Sequence, residues 1–191
     1  EYVTVAARHA DPIESSLSDA ELASFPCSYS TAENLLTRAQ VGKDDALLIT
    51  GASGGVGSAA IQLAKSRGAR VIAVAGDAKQ QSVLDAGADQ ALIRGDSLQN
   101  ALGENAIDVV IDLVGGEDWP ELLNVLRPFG RYAVSGAIAG PIVELDLRTL
   151  YLKDQCFFGC TVLDDGVFSR LVRLIEQGNI KPLLARSFPL E

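Results

Sequence analysis

The sequence has few of the residues that bind metals or form disulfide frameworks. Its 191 residues include one histidine, three cysteines and no methionine. The cysteines, Cys27, Cys156 and Cys160, form no Cys-x-x-Cys pair, so a reducing cytoplasm is the expected location. Cys156 and Cys160 lie in an apolar segment, and we expect both to be buried core thiols.

Basic clusters and long apolar runs are also missing. The net charge of −9 argues against a nucleic-acid or anionic-membrane partner. No apolar run is long enough to cross a bilayer, and no signal peptide is visible. The chain does not begin with Met, so we expect further residues ahead of Glu1.

From residue 46 onward, short apolar strands alternate with helices. Strands are predicted over 46–50, 70–75, 89–93, 107–113, 130–135 and 156–162. Helices are predicted over 55–67, 78–86, 97–102, 118–126 and 164–177. Apolar strands that alternate poorly are typical of parallel sheets covered on both faces. We therefore predict an α/β fold, a doubly wound parallel six-stranded Rossmann sheet of order 3-2-1-4-5-6 flanked by helices.

The first 45 residues are less regular. Residues 2–6 alternate like a short strand, and residues 31–38 are predicted to be helical. A short helix is predicted over 18–24, because Ser18 and Glu21 have the spacing of a capping box.

The most informative segment is Gly51-Ala52-Ser53-Gly54-Gly55-Val56-Gly57, which follows the first predicted strand and opens a helix. Gly51 allows a sharp exit from the strand, and Gly54 and Gly55 allow backbone N–H groups to approach a phosphate. Gly57 allows the helix to pack closely on the sheet. The helix N-terminus adds free N–H groups and a positive dipole. The segment therefore predicts a dinucleotide-binding turn.

Two other families with glycine-rich turns fail on their remaining motifs. A short-chain dehydrogenase needs a Tyr-x-x-x-Lys pair, and none of the four tyrosines has a lysine four residues later. A P-loop needs Gly-Lys-Ser/Thr after the turn, and that sequence is missing.

The end of the second predicted strand favours NADP(H) over NAD(H). NAD-binding domains usually carry an acid there, which bonds the adenosine ribose, whereas this chain has Ala75 and Gly76. Lys79 could reach a 2′-phosphate, and Arg94 could add charge or stack on adenine. Lys79 could equally be a solvated surface charge. Asp77 is an acid placed slightly late, and we interpret it as the N-cap of the next helix.

Several segments together resemble the medium-chain dehydrogenase/reductase superfamily, in its quinone-oxidoreductase-like and zinc-type alcohol-dehydrogenase-like branches. The resemblance covers nearly the whole chain. Its motifs are Phe25-Pro26-Cys27-Ser28-Tyr29-Ser30-Thr31-Ala32, the glycine turn, Ala86-Gly87-Ala88-Asp89, residues 108–112 with Gly115, Leu126-Arg127-Pro128-Phe129-Gly130-Arg131, and Phe158-Gly159.

The resemblance implies a division of the chain. Residues 1–25 would be the remnant of a GroES-like catalytic domain and a linker. Residues 26–180 would be the Rossmann dinucleotide-binding domain, and 181–191 would start the return to the catalytic domain. Most substrate-side residues would then lie outside the chain, so the catalytic residues stay unknown.

The resemblance also implies which residues meet the cofactor. Thr31 would pack by the nicotinamide, and Ser53, Gly54, Gly55 and Val56 would form the diphosphate cradle. Gly76 and Lys79 would meet the 2′-phosphate. Val114, Gly136 and Phe158 would line the groove near the ribose and the nicotinamide.

Zinc is implied only for the full-length protein. Cys27 matches one zinc ligand of zinc-dependent alcohol dehydrogenases, but one cysteine cannot hold the ion, and His9, the sole histidine, lies outside the motif. We therefore expect no metal site within the chain.

The expected function is the NADP(H)-binding domain of an oxidoreductase that moves hydride between nicotinamide and a quinone, carbonyl, alcohol or activated alkene. One alternative is a non-catalytic NADP(H)-binding module or an enoyl-reductase domain of a multi-domain synthase. Another is a zinc-dependent alcohol dehydrogenase that uses Cys27. Tyr29 is a weak acid–base candidate, and we interpret it as a packed aromatic. The partner expected is a small-molecule substrate, together with a homodimer through the edge strand near Phe157.

Overall fold

A parallel sheet forms the centre of the protein. The computed structural model describes residues 3–7, 10–164, 166–184 and 186–188. The strands are β1 (Ala46–Ile49), β2 (Arg70–Ala75), β3 (Gln90–Ile93), β4 (Ile107–Asp112), β5 (Leu126–Val134) and β6 (Cys156–Gly159). All neighbours pair in parallel, in the order β3-β2-β1-β4-β5-β6. The predicted doubly wound sheet and its strand order are confirmed.

Helices connect and cover the strands. They are α1 (Asp19–Ala23), α2 (Phe25–Arg38), α3 (Gly55–Ser66), α4 (Gln80–Asp85), α5 (Leu98–Leu102), α6 (Trp119–Val125), α7 (Leu147–Leu152) and α8 (Val167–Glu176), with a short 3-10 helix at Asp77–Lys79. The predicted capping box is present at α1, where Ser18 and Glu21 bond each other reciprocally. In the part of the chain that the structure describes, no helix is long and apolar enough to cross a membrane.

Apolar side chains fill both faces of the sheet. Leu47 and Ile49 of β1 point into one layer, which α2, α3 and α8 cover, while Leu48 points into the other, which α5 and α6 cover. All three side chains are fully buried. Successive residues of a strand face opposite sides, so a strand buried on both faces must be apolar throughout.

The predicted starts of one helix and one strand are wrong. Helix α2 begins at Phe25 rather than at residue 31, since Pro26 in its first turn costs no hydrogen bond there. Strand β5 begins at Leu126 rather than at residue 130, and its register with β4 shifts between Ile107 and Val109. This irregularity accommodates Phe129, whose φ is +59°.

Other corrections concern the ends of the sheet and a missed helix. The strand predicted over 2–6 is wrong for the described residues 3–6, which are exposed and pair with no strand, and Tyr2 lies outside the described part. Strand β6 ends at Gly159 rather than at residue 162, and helix α7 had not been predicted. Cys160 is buried as expected, but Cys156 is exposed because it opens the edge strand. The division at residues 25 and 180 stays a prediction.

Candidate functional site: the carboxyl edge of the sheet

The turn after β1 leaves several backbone N–H groups at the start of α3 without hydrogen-bond partners among the described residues. Gly51 has a φ of +58°, a conformation that favours glycine, and the N–H of Gly54 donates to the Gly51 carbonyl oxygen at 3.0 Å. Gly54 caps α3 without a side-chain bond. Among the described residues, no hydrogen bond uses the N–H groups of Gly55, Val56 or Gly57. Free N–H donors at a helix N-terminus are suited to bind an anionic group, and we refer to this turn as the cradle.

Close packing beneath this turn leaves little room for side chains at two positions. A Cβ on Gly57 would lie 2.6 Å from the Cα of Ala52 and closer still to the Gly51 carbonyl oxygen. A Cβ on Gly55 would lie 2.7 Å from the Oγ of Ser28 on α2. Helix α3 can therefore approach the sheet only because residue 57 is glycine, whereas a side chain at residue 55 would require the Ser28 hydroxyl to turn away.

A buried carboxylate supports the neighbouring strand end. Asp112 closes β4 with no exposed surface, and its side chain accepts hydrogen bonds from four donors. They are the Thr50 hydroxyl (2.6 Å), the Tyr132 hydroxyl (2.6 Å) and the N–H groups of Val114 (2.9 Å) and Gly115 (3.1 Å). The Thr50 oxygen in turn accepts from the N–H of Leu113 at 3.0 Å. One side chain thus ties together the ends of β1, β4 and β5.

Tyr132 acts in this cluster as a neutral donor. Burial and the adjacent Asp112 carboxylate both raise the pKa of the Tyr132 hydroxyl well above its usual value. Its ring also packs edge-on against Trp119, with centroids 5.9 Å apart. Sequence reasoning missed this cluster, although one clue was present: Asp112 directly follows the apolar run Val109-Val110-Ile111 at the end of β4.

The loops after β4 and β5 meet backbone to backbone. Gly115 and Gly140 form an isolated parallel bridge, and the N–H of Gly116 donates to the Gly140 carbonyl oxygen at 3.1 Å. A Cβ on Gly136 would lie 2.7 Å from the Leu113 carbonyl oxygen. Glycine at these strand ends therefore allows the close loop contact that shapes this edge of the sheet.

A narrow cleft of about 70 Å³ opens between the ends of β1, β2, β3 and β4. Its walls include Thr50, Gly51, Arg94 and Val114. The Nη2 atom of Arg94 lies 3.9 Å from the point where a Cβ on Gly76 would be. The structure therefore brings Gly76, Arg94 and Val114 together, next to the glycine turn.

Lys79 and Asp77 follow Gly76 on the short 3-10 helix. Both are exposed, and no side-chain hydrogen bond or ion pair of Lys79 is found within the described residues. The interpretation of Asp77 as an N-cap is wrong, because Gly76 takes the cap position and Asp77 is already the first helical residue. Gln80 was missed: its side-chain amide donates to the carbonyl oxygens of Ala75 (3.0 Å) and Leu92 (3.1 Å), which holds the ends of β2 and β3 together.

The ends of β5 and β6 border a second, open depression of about 510 Å³. Gly136 and Cys160 line it, together with Arg38 of α2, which the sequence prediction had not included. Thr31 and Phe158 are half-buried and do not line it. The Thr31 hydroxyl donates to the Cys27 carbonyl oxygen at 2.8 Å, within α2.

Tyr29 is a packed aromatic, as interpreted from the sequence. Only 3% of its surface is exposed, and burial raises the pKa of its hydroxyl. The hydroxyl donates to the Lys181 carbonyl oxygen at 2.6 Å and accepts from Gln62 of α3 at 3.0 Å. The Gln62 side-chain oxygen accepts from the Lys181 N–H at 2.8 Å, so both backbone groups of Lys181 are bound.

The residues around Cys27 do not make a zinc site by themselves. Cys27 is exposed on α2, and no three His, Cys, Asp or Glu side chains of the described residues converge to hold a metal ion. His9 lies outside the described residues. Zinc typically needs at least three protein ligands, and Cys27 alone does not supply them.

Comparison with known proteins identifies the family of the chain. The zinc-binding dehydrogenase profile matches residues 55–177, from the start of α3 to the end of α8. The chain belongs to the zinc-binding dehydrogenase family. This confirms the predicted membership in the medium-chain dehydrogenase/reductase superfamily, with the chain corresponding to its cofactor-binding domain.

Individual members of the family are similar over most of the chain. The acryloyl-coenzyme A reductase of Metallosphaera sedula is 33% identical over 176 residues, covering 91% of the chain and 52% of the relative. Quinone oxidoreductase-like protein 2 of Bos taurus is 34% identical over 189 residues, covering 90% and 54%. The crystal structure of a protein assigned as an alcohol dehydrogenase, from Sinorhizobium meliloti 1021, superimposes with a TM-score of 0.85 at 50% identity, covering 90% and 49%. The chain thus spans about half the length of these zinc-binding dehydrogenase relatives.

The Asp112 cluster is open to a direct test. In Asp112→Asn the side-chain NH₂ replaces an acceptor oxygen and faces donors, so we expect a loss of about 1.5–3 kcal/mol in unfolding free energy. Urea unfolding followed by circular dichroism measures it. Tyr132→Phe is the control, since it removes one donor and leaves the carboxylate bonded to the others, and its loss should be smaller. An unchanged midpoint for Asp112→Asn would contradict the role assigned to the cluster.

Proposed function

We propose that the protein is the NADP(H)-binding part of an oxidoreductase that transfers hydride between nicotinamide and a quinone, a carbonyl, an alcohol or an activated alkene. The observation that carries the proposal is the turn after β1, where the N–H groups of Gly55, Val56 and Gly57 lack partners among the described residues. Membership in the zinc-binding dehydrogenase family supports it.

The chain's residues suit a nicotinamide dinucleotide laid across the carboxyl edge of the sheet. The α3 N-terminus and the backbone of Ser53 and Gly54 would hold the diphosphate, and the cleft beside Val114 would hold the adenosine half. Gly136, Thr31 and Phe158 would border the nicotinamide. A bound nicotinamide supplies the hydride or accepts it, while these residues orient the ring and exclude water.

The preference for NADP(H) rests on charge next to Gly76. Ala75 carries no carboxylate that would repel a 2′-phosphate, and the Arg94 guanidinium lies beside Gly76. Lys79 is exposed one turn further on and can approach the same group. A guanidinium and an ammonium near one phosphate favour the phosphorylated cofactor.

This preference predicts a selective effect at Arg94. In Arg94→Ala we expect NADPH to bind about tenfold more weakly or worse, since a hydrogen bond to a charged group contributes about 1.5–3 kcal/mol. NADH affinity should change less, because NADH lacks the 2′-phosphate. Fluorescence titration of both cofactors measures the two dissociation constants.

Arg70→Ala, at the opposite end of β2, is the matched control for Arg94, because the Arg70 side chain bonds Gln90 away from the cleft. It should leave both affinities unchanged. An equal loss of NADPH and NADH in Arg94→Ala would mean that Arg94 stacks on the adenine instead of binding the phosphate.

An enzyme and a non-catalytic binding module are distinguished by turnover. With the full-length protein and NADPH we expect the absorbance of reduced nicotinamide to fall when a quinone, an enal, an aldehyde or an α,β-unsaturated CoA thioester is added. The thioester is included because one similar protein is an acryloyl-coenzyme A reductase. Binding without oxidation by any substrate would favour the module, and absence of binding would overturn the proposal. Residues 1–191 alone should bind NADPH with almost no turnover.

A homodimer through β6 is the partner that we propose. Strand β6 pairs only with β5 among the described strands, so its other edge offers free backbone groups. The segment between β5 and β6 carries exposed apolar side chains, including Ile138, Ile142, Leu147 and Leu152. A reducing cytoplasm is the proposed location, which the three free cysteines support.

The dimer is testable by solution mass. Leu152 is 70% exposed, and Leu152→Asp should convert the dimer into a monomer in light scattering coupled to gel filtration. Val3→Asp changes an exposed apolar residue outside the sheet and should leave the mass unchanged. A monomeric wild-type protein at micromolar concentration would contradict the proposal.

A further inference from the structure

An arginine-lined depression lies away from the nucleotide turn. It has a volume of about 570 Å³ and lies between α2, α3 and α8. Arg67, which caps the C-terminus of α3, forms part of its wall, whereas the glycine turn is at the other end of that helix. Twelve helical residues separate the two by about 18 Å at 1.5 Å per residue. A molecule bound here would not touch the cofactor cradle.

The charge of this depression is opposite to that of the protein. Its lining contains Arg67, Arg170 and Arg173, with Glu33 as the acid among the lining residues. Three positive charges against one negative charge leave a formal excess of two, while the whole chain carries −9. Thr37 and Gln177 add neutral hydrogen-bonding groups. The depression is therefore a local site of positive charge on an acidic protein.

Glu33 positions two of the arginines without saturating them. Its Oε1 atom lies 2.8 Å from Nη2 of Arg67 and 3.4 Å from Nε of Arg170. Its Oε2 atom is buried and has no hydrogen-bond partner in the described part of the chain. Because one oxygen serves both guanidinium groups, each retains N–H donors that the carboxylate does not use.

Arg173 has no visible structural role. It follows Arg170 by one helical turn on α8 and is exposed. No hydrogen bond or ion pair within the described residues uses its guanidinium. Arg67 and Arg170 join three helices through Glu33 and Thr37, but that architecture does not require a third arginine at the same depression.

We propose that this depression binds a small anion that carries two or more negative charges, through phosphate or carboxylate groups. Guanidinium groups bind both with paired, charge-assisted hydrogen bonds, and Arg67 and Arg170 are already held in place by Glu33. Arg173 closes the third side. The volume is in the range of small-molecule pockets.

The test is anion binding by the full-length protein with its cofactor cradle saturated by NADPH. Inorganic phosphate and citrate are titrated separately at constant ionic strength, and the melting temperature is followed by differential scanning fluorimetry. Wild type is compared with Arg173→Gln and with Arg70→Gln, which removes the same charge at the amino end of β2. We expect at least one anion to raise the melting temperature saturably, with about tenfold weaker apparent affinity in Arg173→Gln and no change in Arg70→Gln.

Each outcome decides the proposal. Response to phosphate alone assigns a phosphate site, and response to citrate assigns a polycarboxylate site. An equal response in Arg173→Gln would place the anion elsewhere and overturn the proposal, as would no response to either anion. Should Arg173→Gln fail to fold, isothermal titration of the wild type decides: one anion per chain supports the site, and no saturable heat overturns it.

Discussion

The buried carboxylate of Asp112 is the constraint on which the carboxyl edge of the sheet depends. It accepts hydrogen bonds from β1, β5 and the loop that follows β4, and none of its surface reaches water. A buried charge is tolerated only when donors surround it, so these segments are not free to separate. The cleft beside Val114 and the contact between Gly115 and Gly140 both follow from this arrangement.

Glycines also bring backbone segments close together at this edge of the sheet. Where Asp112 draws strand ends together through side chains, Gly57 and Gly136 let backbones approach where a Cβ would collide. The result is an edge of the sheet with little side-chain bulk and with unused N–H groups at the α3 N-terminus. An extended ligand with a central anionic group fits that combination of shape and charge.

The sequence predicted the sheet and the turn because both depend on local pattern. Short apolar strands that alternate with helices predict a parallel sheet, and the glycines of residues 51–57 predict a tight turn at a helix N-terminus. The Asp112 cluster could not be predicted in this way, since Thr50 is 62 residues away and Tyr132 is 20 residues away along the chain. The prediction that Cys156 is buried was wrong for a related reason. Burial of a strand residue depends on whether a neighbouring element covers it, and β6 lies at the edge of the sheet. The Arg67–Glu33–Arg170 group likewise exists only after α2, α3 and α8 have packed.

The hydrogen bonds to the backbone of Lys181 have a consequence for the movement of the chain. Tyr29 and Gln62 bind both of its backbone groups, and Gln62 belongs to the helix whose first turn forms the cradle. Backbone rotation at Lys181 would break these bonds, so they tie this segment to α2 and α3. A displacement of α3 would therefore be carried to the backbone of Lys181 for as long as these bonds hold.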